Sequence, residues 1–426
     1  MISILLILYI SRVAIGFYRV LKDPLPSPLE VIVLSTFFYN APLAIISLFG
    51  WDWIFPEYKV FLTDNAADPI IAERTIIICF VSVIALEIGK RIFVKFKIPQ
   101  KYFIVNESMS LTSMSYLIGI VAFISAMAYS MGFNNYFSGY DIDTNVLNIS
   151  DYIAFIYFSI EASGIIMILF YANKNFMSKA FVRVFIGIFV SFILVMAISR
   201  GKRLEIVVAL LPLLLLLWSM KLRRLIPRAT AVALFLISFS ALASLRYGEI
   251  PTASSLAFNS VSEGLYAGHM TPGVISAVDY EGLNFEEGAR FAIGFIAVIP
   301  RAIFPQKDQL VYQSITDITE FTPLGATTML AEVYLQAGLL SIIIFFMLCG
   351  FVSRMLETSE LIDNKNGLFP LKSIYYLIFV GTFIFHFRDG IIVSMKLSIQ
   401  MIILVLSFRL FLSSKTIFIN RSKATG

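Results

Sequence analysis

The sequence predicts an all-α, polytopic membrane protein, and three observations carry that reading. Hydrophobic residues make up 58% of the chain and charged residues only 14%, with a mean hydropathy of +0.85, so polar surface is too scarce to cover a soluble domain. The apolar runs continue unbroken for about 20 residues, the length that crosses a hydrocarbon core as a helix. No stretch shows the short alternating segments of a closed barrel, the other architecture that satisfies its backbone in lipid.

Eleven spans can be placed, at roughly residues 2–20, 30–50, 69–89, 111–131, 152–172, 181–199, 204–220, 225–245, 323–352, 371–387 and 390–412. The Met1 to Ile10 run lacks the basic leader and small-residue cleavage site of a signal peptide, and is read as part of the first span. Cys79 and Cys349 both lie inside apolar runs without metal-like spacing and are read as small core residues. No internal repeat is visible, so residues 1–426 form a single integral membrane domain in this reading.

Charge sets the expected orientation. Lys90, Arg91, Lys95, Lys97 and Lys101 follow span three; Lys174, Lys179 and Arg183 follow span five; Lys221, Arg223, Arg224 and Arg228 follow span seven; Arg409, Lys415, Arg421 and Lys423 end the chain. All fall on one side, which the positive-inside rule makes cytoplasmic, with the N-terminus outside and the C-terminus inside. The pI near 9.0 is thereby assigned to membrane topology, and no nucleic-acid partner is expected. The acidic connections 51–69 and 132–151 fall on the other side, as they should.

Two short connections break the rule. Ser199-Arg200-Gly201-Lys202-Arg203 and Arg388-Asp389-Gly390 are external by alternation yet cationic. The long external loop, residues 246–321, adds Arg246, Arg290, Arg301 and Lys307. Within it, Phe291 to Val298 is apolar but too short to cross a bilayer, so a re-entrant or interfacial helix is expected there, bringing Arg301 near lipid headgroups.

Each of these cations has a plain reading as an interfacial anchor that snorkels to headgroups. Together on one face they have a second reading, an anion site in which guanidinium forks hold phosphate oxygens. Arg200, Lys202, Arg203, Arg246, Arg301, Lys307 and Arg388 form that candidate binding set. Candidate proton acceptors are His269, Glu263 and Glu332, chosen by residue type and side of the membrane. Arg12, Glu73, Arg74, Glu87, Glu161, Glu332 and Lys396 lie within spans, where ionisable groups are usually paired or functional. Arg12 and Glu161 lie at matched depth, as do Glu332 and Lys396, which permits pairing without showing it. There is no phosphate loop, no zinc-type histidine pair and no Asp-x-Asp motif, so neither metal nor cofactor is expected. A substrate bringing its own leaving group, such as a polyprenyl diphosphate, fits that pattern.

Ser199-Arg200-Gly201 opening a span, Pro300-Arg301 followed by Phe304-Pro305 and Lys307, Ala331-Glu332 with Tyr334 inside Gly325 to Gly338, and Arg388 between the last spans resemble the Wzy-type O-antigen or oligosaccharide repeat-unit polymerases. The resemblance covers the chain from about residue 180 onward; the first five spans match only in hydropathy. It implies a GT-C-like glycosyltransferase in the bacterial inner membrane, acting on its periplasmic face. The donor and acceptor would be undecaprenyl-diphosphate-linked oligosaccharides, with membrane lipids, a flippase and a chain-length regulator as partners. The related O-antigen ligases share the plan, although His269-Met270-Thr271 departs from their loop histidine pattern. A transporter or flippase of the same lipid-linked sugars is the rival from another class.

Overall fold

The computed structural model of the chain describes residues 2–50, 68–92, 101–104, 107–132, 159–160, 162–168, 174–198, 203–220, 225–246, 252–299, 303–307, 309–311, 327–358, 361–362, 368–413 and 418–420. The described elements are helices apart from three short strands. Among the described residues five helices are long and apolar enough to span a membrane: Ile2–Lys22, Pro28–Phe49, Pro69–Ile92, Ser110–Ser130 and Met329–Leu356. Shorter apolar stretches, Ala180–Met196, Leu210–Ser219, Ile226–Ser238 and Leu371–Gly381, fall within the anticipated sixth, seventh, eighth and tenth spans.

The chain divides into two compact units. The first holds residues 1–98, 251–357 and 383–400. Its helices are α1 (Ile2–Lys22), α2 (Pro28–Phe49) and α3 (Pro69–Ile92), then, after the second unit's elements, α9 (Ala253–Gly268), α10 (Met270–Asp279), α11 (Ala289–Ile296) and α12 (Met329–Leu356). Local chemistry sets several boundaries. Pro28 opens α2 at a position where its missing N–H costs nothing, and Gly50, left-handed at φ 61°, closes it with its N–H on the Ile46 carbonyl. A reciprocal box between Thr252 and Ser255 starts α9, with Ser255 N to Thr252 Oγ1 at 3.1 Å and Thr252 N to Ser255 Oγ at 2.9 Å.

The centre of this unit is the crossing of α3 and α12. With no hydrophobic drive between helices in lipid, close approach depends on small residues. Gly89 faces the Met347 backbone and Gly350 faces Leu86, so closely that a Cβ added at Gly350 would lie 2.1 Å from the Leu86 carbonyl oxygen. The two helices are parallel: Lys90 pairs with Glu357 at one end at 3.1 Å, while Arg74 and Tyr334 both reach Asp279 at the other. Glycine also seats α9 on α2, where Gly264 meets the Phe38 carbonyl and Gly268 meets Leu43.

Intramembrane charge in α1 to α3 is neutralised locally. Arg12 bridges Glu30 at 2.7 Å and Glu87 at 2.6 Å, and Arg19 holds the second oxygen of Glu30 at 2.8 Å. Two guanidinium groups thus balance two carboxylates, which is how charges are retained at low dielectric. Both carboxylates come from helices neighbouring α1 in sequence or in space; Glu161, at matched depth to Arg12, lies outside the described residues.

The second unit holds residues 99–250, 358–382 and 401–426. It contains β1 (Lys101–Ile104), α4 (Glu107–Met131), α5 (Lys174–Ser178), α6 (Ala180–Ile198), α7 (Arg203–Met220), α8 (Leu225–Arg246), β2 (Leu368–Pro370), α13 (Leu371–Ile378) and β3 (Phe418–Asn420). Leu117, Ile124, Ile160, Met167, Phe189 and Ile193 form its apolar core. The strands make one antiparallel sheet in the order β2-β1-β3, pairing Phe103 with Phe369 and with Phe418. This sheet has no counterpart in the all-α expectation, because three- and four-residue strands leave no readable period in sequence. The last long helix, α14 (Gly390–Ser413), follows a π-helical stretch Phe379–Ile384 and a 3₁₀ turn Phe385–Asp389. The tenth span, anticipated as one helix over 371–387, is therefore α-helical only to Ile378.

The crossing yields a direct test. Gly350→Val should abolish recovery of folded protein from detergent, because the backbone of α3 occupies the space a side chain needs. Gly187→Ala, where a Cβ meets nothing within 4 Å, should leave yield and melting temperature unchanged.

Candidate functional site

The polar groups of the first unit concentrate where α12 breaks. Ala337 and Gly338 leave helical geometry, Gly338 at φ 64° and ψ −139°, which a residue with a Cβ rarely adopts. The break frees backbone groups that need partners in a low-dielectric region. Ser341 Oγ donates to the Val333 carbonyl at 2.5 Å, while the amides of Glu286 and Glu287 donate to the Leu335 and Gln336 carbonyls, each at 3.0 Å. The segment before α11 is thereby laced into the broken helix.

Side chains complete the junction. Arg290, fully buried, pairs with Glu286 at 2.7 Å and faces Glu332 Oε1 at 3.9 Å. Gln336 Nε2 donates to Glu286 at 2.9 Å, and Gln336 Oε1 accepts the Arg290 amide at 3.3 Å. Glu332 Oε2 accepts the Ile391 amide at 2.6 Å, so this carboxylate holds the first turn of α14. Gly390, at φ 82°, makes room for it: a Cβ there would lie 2.2 Å from Glu332 Oε1. Arg388 and Asp389, both partly buried, immediately precede that glycine.

Of the candidate residues, Glu332 and Arg388 are brought to this one junction. Glu332 faces Arg290, a cation that depth alone did not single out. Lys307 lies apart from the carboxylates, its Nζ donating to the Ile299 carbonyl at 2.7 Å and to the Ala297 carbonyl at 3.4 Å, just beyond the end of α11. The anticipated short helix over 291–298 is α11, Ala289–Ile296. Arg203 opens α7, Arg246 ends α8 and Glu263 lies within α9, with only their backbones described. Arg200, Lys202 and Arg301 lie outside the described residues. Sequence reasoning missed Glu286 and Gln336, and it saw Arg290 only as a loop cation. The readable signal was the i, i+4 spacing of Glu286 and Arg290 on one side and of Glu332 and Gln336 on the other.

His269 sits at the joint between α9 and α10 and is buried, with 2% of its surface exposed. Its neighbour Thr271 donates to Asn40 Oδ1 at 2.7 Å and meets Thr328 Oγ1 at 3.1 Å, pinning the joint to α2 and to the start of α12. Burial pushes the imidazole down from 6.5 to about 4, so it is neutral at pH 7. A second cluster lies at the same end of α12: Arg74 pairs with Asp279 and stacks over Tyr280 at 5.3 Å, and Tyr334 donates to Asp279 at 3.4 Å.

No family model matches the chain, and no curated protein or solved structure matches it either.

Two outcomes follow from this geometry. Gly390→Ala should lower stability by ~2–4 kcal/mol, seen as a reduced melting temperature in detergent, since it combines a disfavoured φ with displacement of the Glu332 carboxylate. His269 has a folded pKa below its unfolded one, so its contribution is intact above about pH 6.5 and is lost as pH falls toward 4. Melting temperature should therefore fall over that window, by the equivalent of up to about 3 kcal/mol, and His269→Gln should flatten the fall.

Proposed function

We propose that this protein is a membrane glycosyltransferase that polymerises undecaprenyl-diphosphate-linked oligosaccharide repeat units on the periplasmic face of a bacterial inner membrane. In this reading eleven spans form a GT-C-like body, with the N-terminus outside and the C-terminus in the cytoplasm. The observation that supports it most is the junction of Glu332, Arg290 and the turn carrying Arg388. It lies at the end of the parallel α3–α12 pair opposite Lys90, Arg91 and Arg354, the end that the positive-inside rule assigns to the cytoplasm.

The chemistry asks little of the protein beyond placement and charge. An acceptor sugar hydroxyl attacks the donor's anomeric carbon, the bond from that carbon to the diphosphate oxygen breaks, and the diphosphate leaves with the electron pair. Arg388, with Arg200, Arg203, Arg246 and Arg301, is assigned to the phosphate oxygens, where charge grows as that bond breaks. The hydroxyl proton needs an acceptor. Glu332, with one oxygen held by the Ile391 amide and the other facing Arg290, suits a fixed carboxylate better than a mobile base. His269, neutral but weakly basic, is a poor acceptor as placed. Glu263 stays in the candidate set.

A purified, detergent-solubilised preparation given lipid-linked repeat units tests the reading, because extension without a second compartment requires an enzyme. Ladders longer than one repeat are expected. Arg388→Ala should cut the rate by about 100-fold or more, and Arg388→Lys should recover only part of it, since an ammonium lacks the planar fork. Movement of lipid-linked units across vesicle bilayers without any extension would make the protein a transporter instead.

A further inference from the structure

Between α10 and α11 the chain reads Asp279-Tyr-Glu-Gly-Leu-Asn-Phe-Glu-Glu287, with four carboxylates, two aromatic rings and no base. Tyr280 is 56% exposed, Phe285 43% and Leu283 38%. Exposed apolar side chains on α1 or α12 have lipid to face; those of this segment sit among acids. They are also held in place. The amides of Tyr280 and Glu281 donate to the Ser276 carbonyl, that of Leu283 to Ala277, and those of Glu286 and Glu287 to the broken turn of α12. Phe285 packs edge-on to Tyr334 at 6.4 Å, and a Cβ at Gly338 would touch its ring at 3.2 Å. Arg74 lies over Tyr280. Glu287 sits at φ 49°, a conformation unusual for a residue with a side chain, next to left-handed Gly288.

We infer that this segment is a sugar-binding ledge, on which Tyr280 and Phe285 take the apolar face of a pyranose ring and Glu281 and Glu287 accept its hydroxyls. Charge decides between the two surfaces such a segment suits. Segments that lie on a membrane pair their apolar residues with lysine and arginine, which anionic headgroups attract; this one offers carboxylates and would be repelled. A neutral or amino-substituted sugar meets no such penalty. Asp279 and Glu286 are engaged by Arg74 and Arg290, which leaves Glu281 and Glu287 as the exposed acids, Glu281 accepting one bond from Ser276 at 3.2 Å. Rings already fixed by packing lose little freedom on binding, which favours affinity. The ledge rests on the polymerase reading for its biological meaning and gives that reading its glycan subsite: carboxylates and rings for sugar, arginines for diphosphate.

The test uses the full-length protein in nanodiscs and, as probe, uncharged repeat-unit oligosaccharide released from its lipid by mild acid, with binding read by saturation-transfer NMR. Wild type should bind. Phe285→Ala and Tyr280→Ala should each weaken binding by tenfold or more, and Glu287→Gln, a change too small to unfold the chain, by several-fold. All three should keep wild-type affinity for farnesyl diphosphate, and Glu287→Gln should keep a wild-type melting temperature. Unchanged oligosaccharide binding in these variants overturns the ledge. If oligosaccharide binds through the ledge while no ladder forms, the polymerase reading fails and the ledge stands. If ladders form normally in the ledge variants, the ledge falls and the polymerase reading stands.

Discussion

One carboxylate joins three helices of the first unit. Glu332 lies on α12, its ion-pair partner Arg290 on α11 and its amide donor Ile391 at the start of α14, so a single buried group ties residues 290, 332 and 391. In a low-dielectric surrounding a carboxylate persists only where a cation and fixed dipoles replace lost water. The same requirement makes the joint specific. Moving any one of the three elements leaves a buried polar group short of a partner, at a cost of about 1–3 kcal/mol. The Gly390 position follows from it, because only the missing Cβ lets the α14 backbone reach the carboxylate.

The break in α12 is the second half of the same constraint. A spanning helix normally satisfies its own backbone, and one that unwinds at Ala337 and Gly338 has to borrow donors and acceptors. It borrows them from the segment before α11, through the amides of Glu286 and Glu287. Those bonds place Arg290 beside Glu332, and they also hold Tyr280 and Phe285 at the surface. The interrupted helix, the buried charge cluster and the exposed aromatic segment are therefore consequences of one local departure from regular structure.

The sequence was readable where hydropathy acts over long windows. Apolar length located the five long helices α1, α2, α3, α4 and α12. Contacts were another matter. Depth along a helix carries no azimuth, and the carboxylates that face Arg12, Glu30 and Glu87, could not be picked out from it. The 3.6-residue period does mark Glu286 with Arg290 and Glu332 with Gln336 as neighbours on their own helices or turns. It cannot say that the two pairs meet, since that depends on the break at Gly338, and Ala-Gly is tolerated within ordinary membrane helices. The 371–389 stretch misled for a related reason: uniform apolarity hides a change from α to π to 3₁₀ geometry.

His269 shows why side of membrane and residue type are weak guides to catalysis. Both attributes suited it to a base, yet its place at a tight joint between α9 and α10, with Thr271 bonded to Asn40 and Thr328, removes it from water and depresses its basicity. A general base works best with a pKa near the working pH and a path to the proton it takes. Burial moves an imidazole the wrong way on both counts. What it does supply is a neutral polar group at the joint where α9 gives way to α10. Asp279, at the far end of α10, holds Arg74 and Tyr334 and begins the segment that leads to Arg290. His269 thus sits one helix, α10, away from the Asp279 cluster.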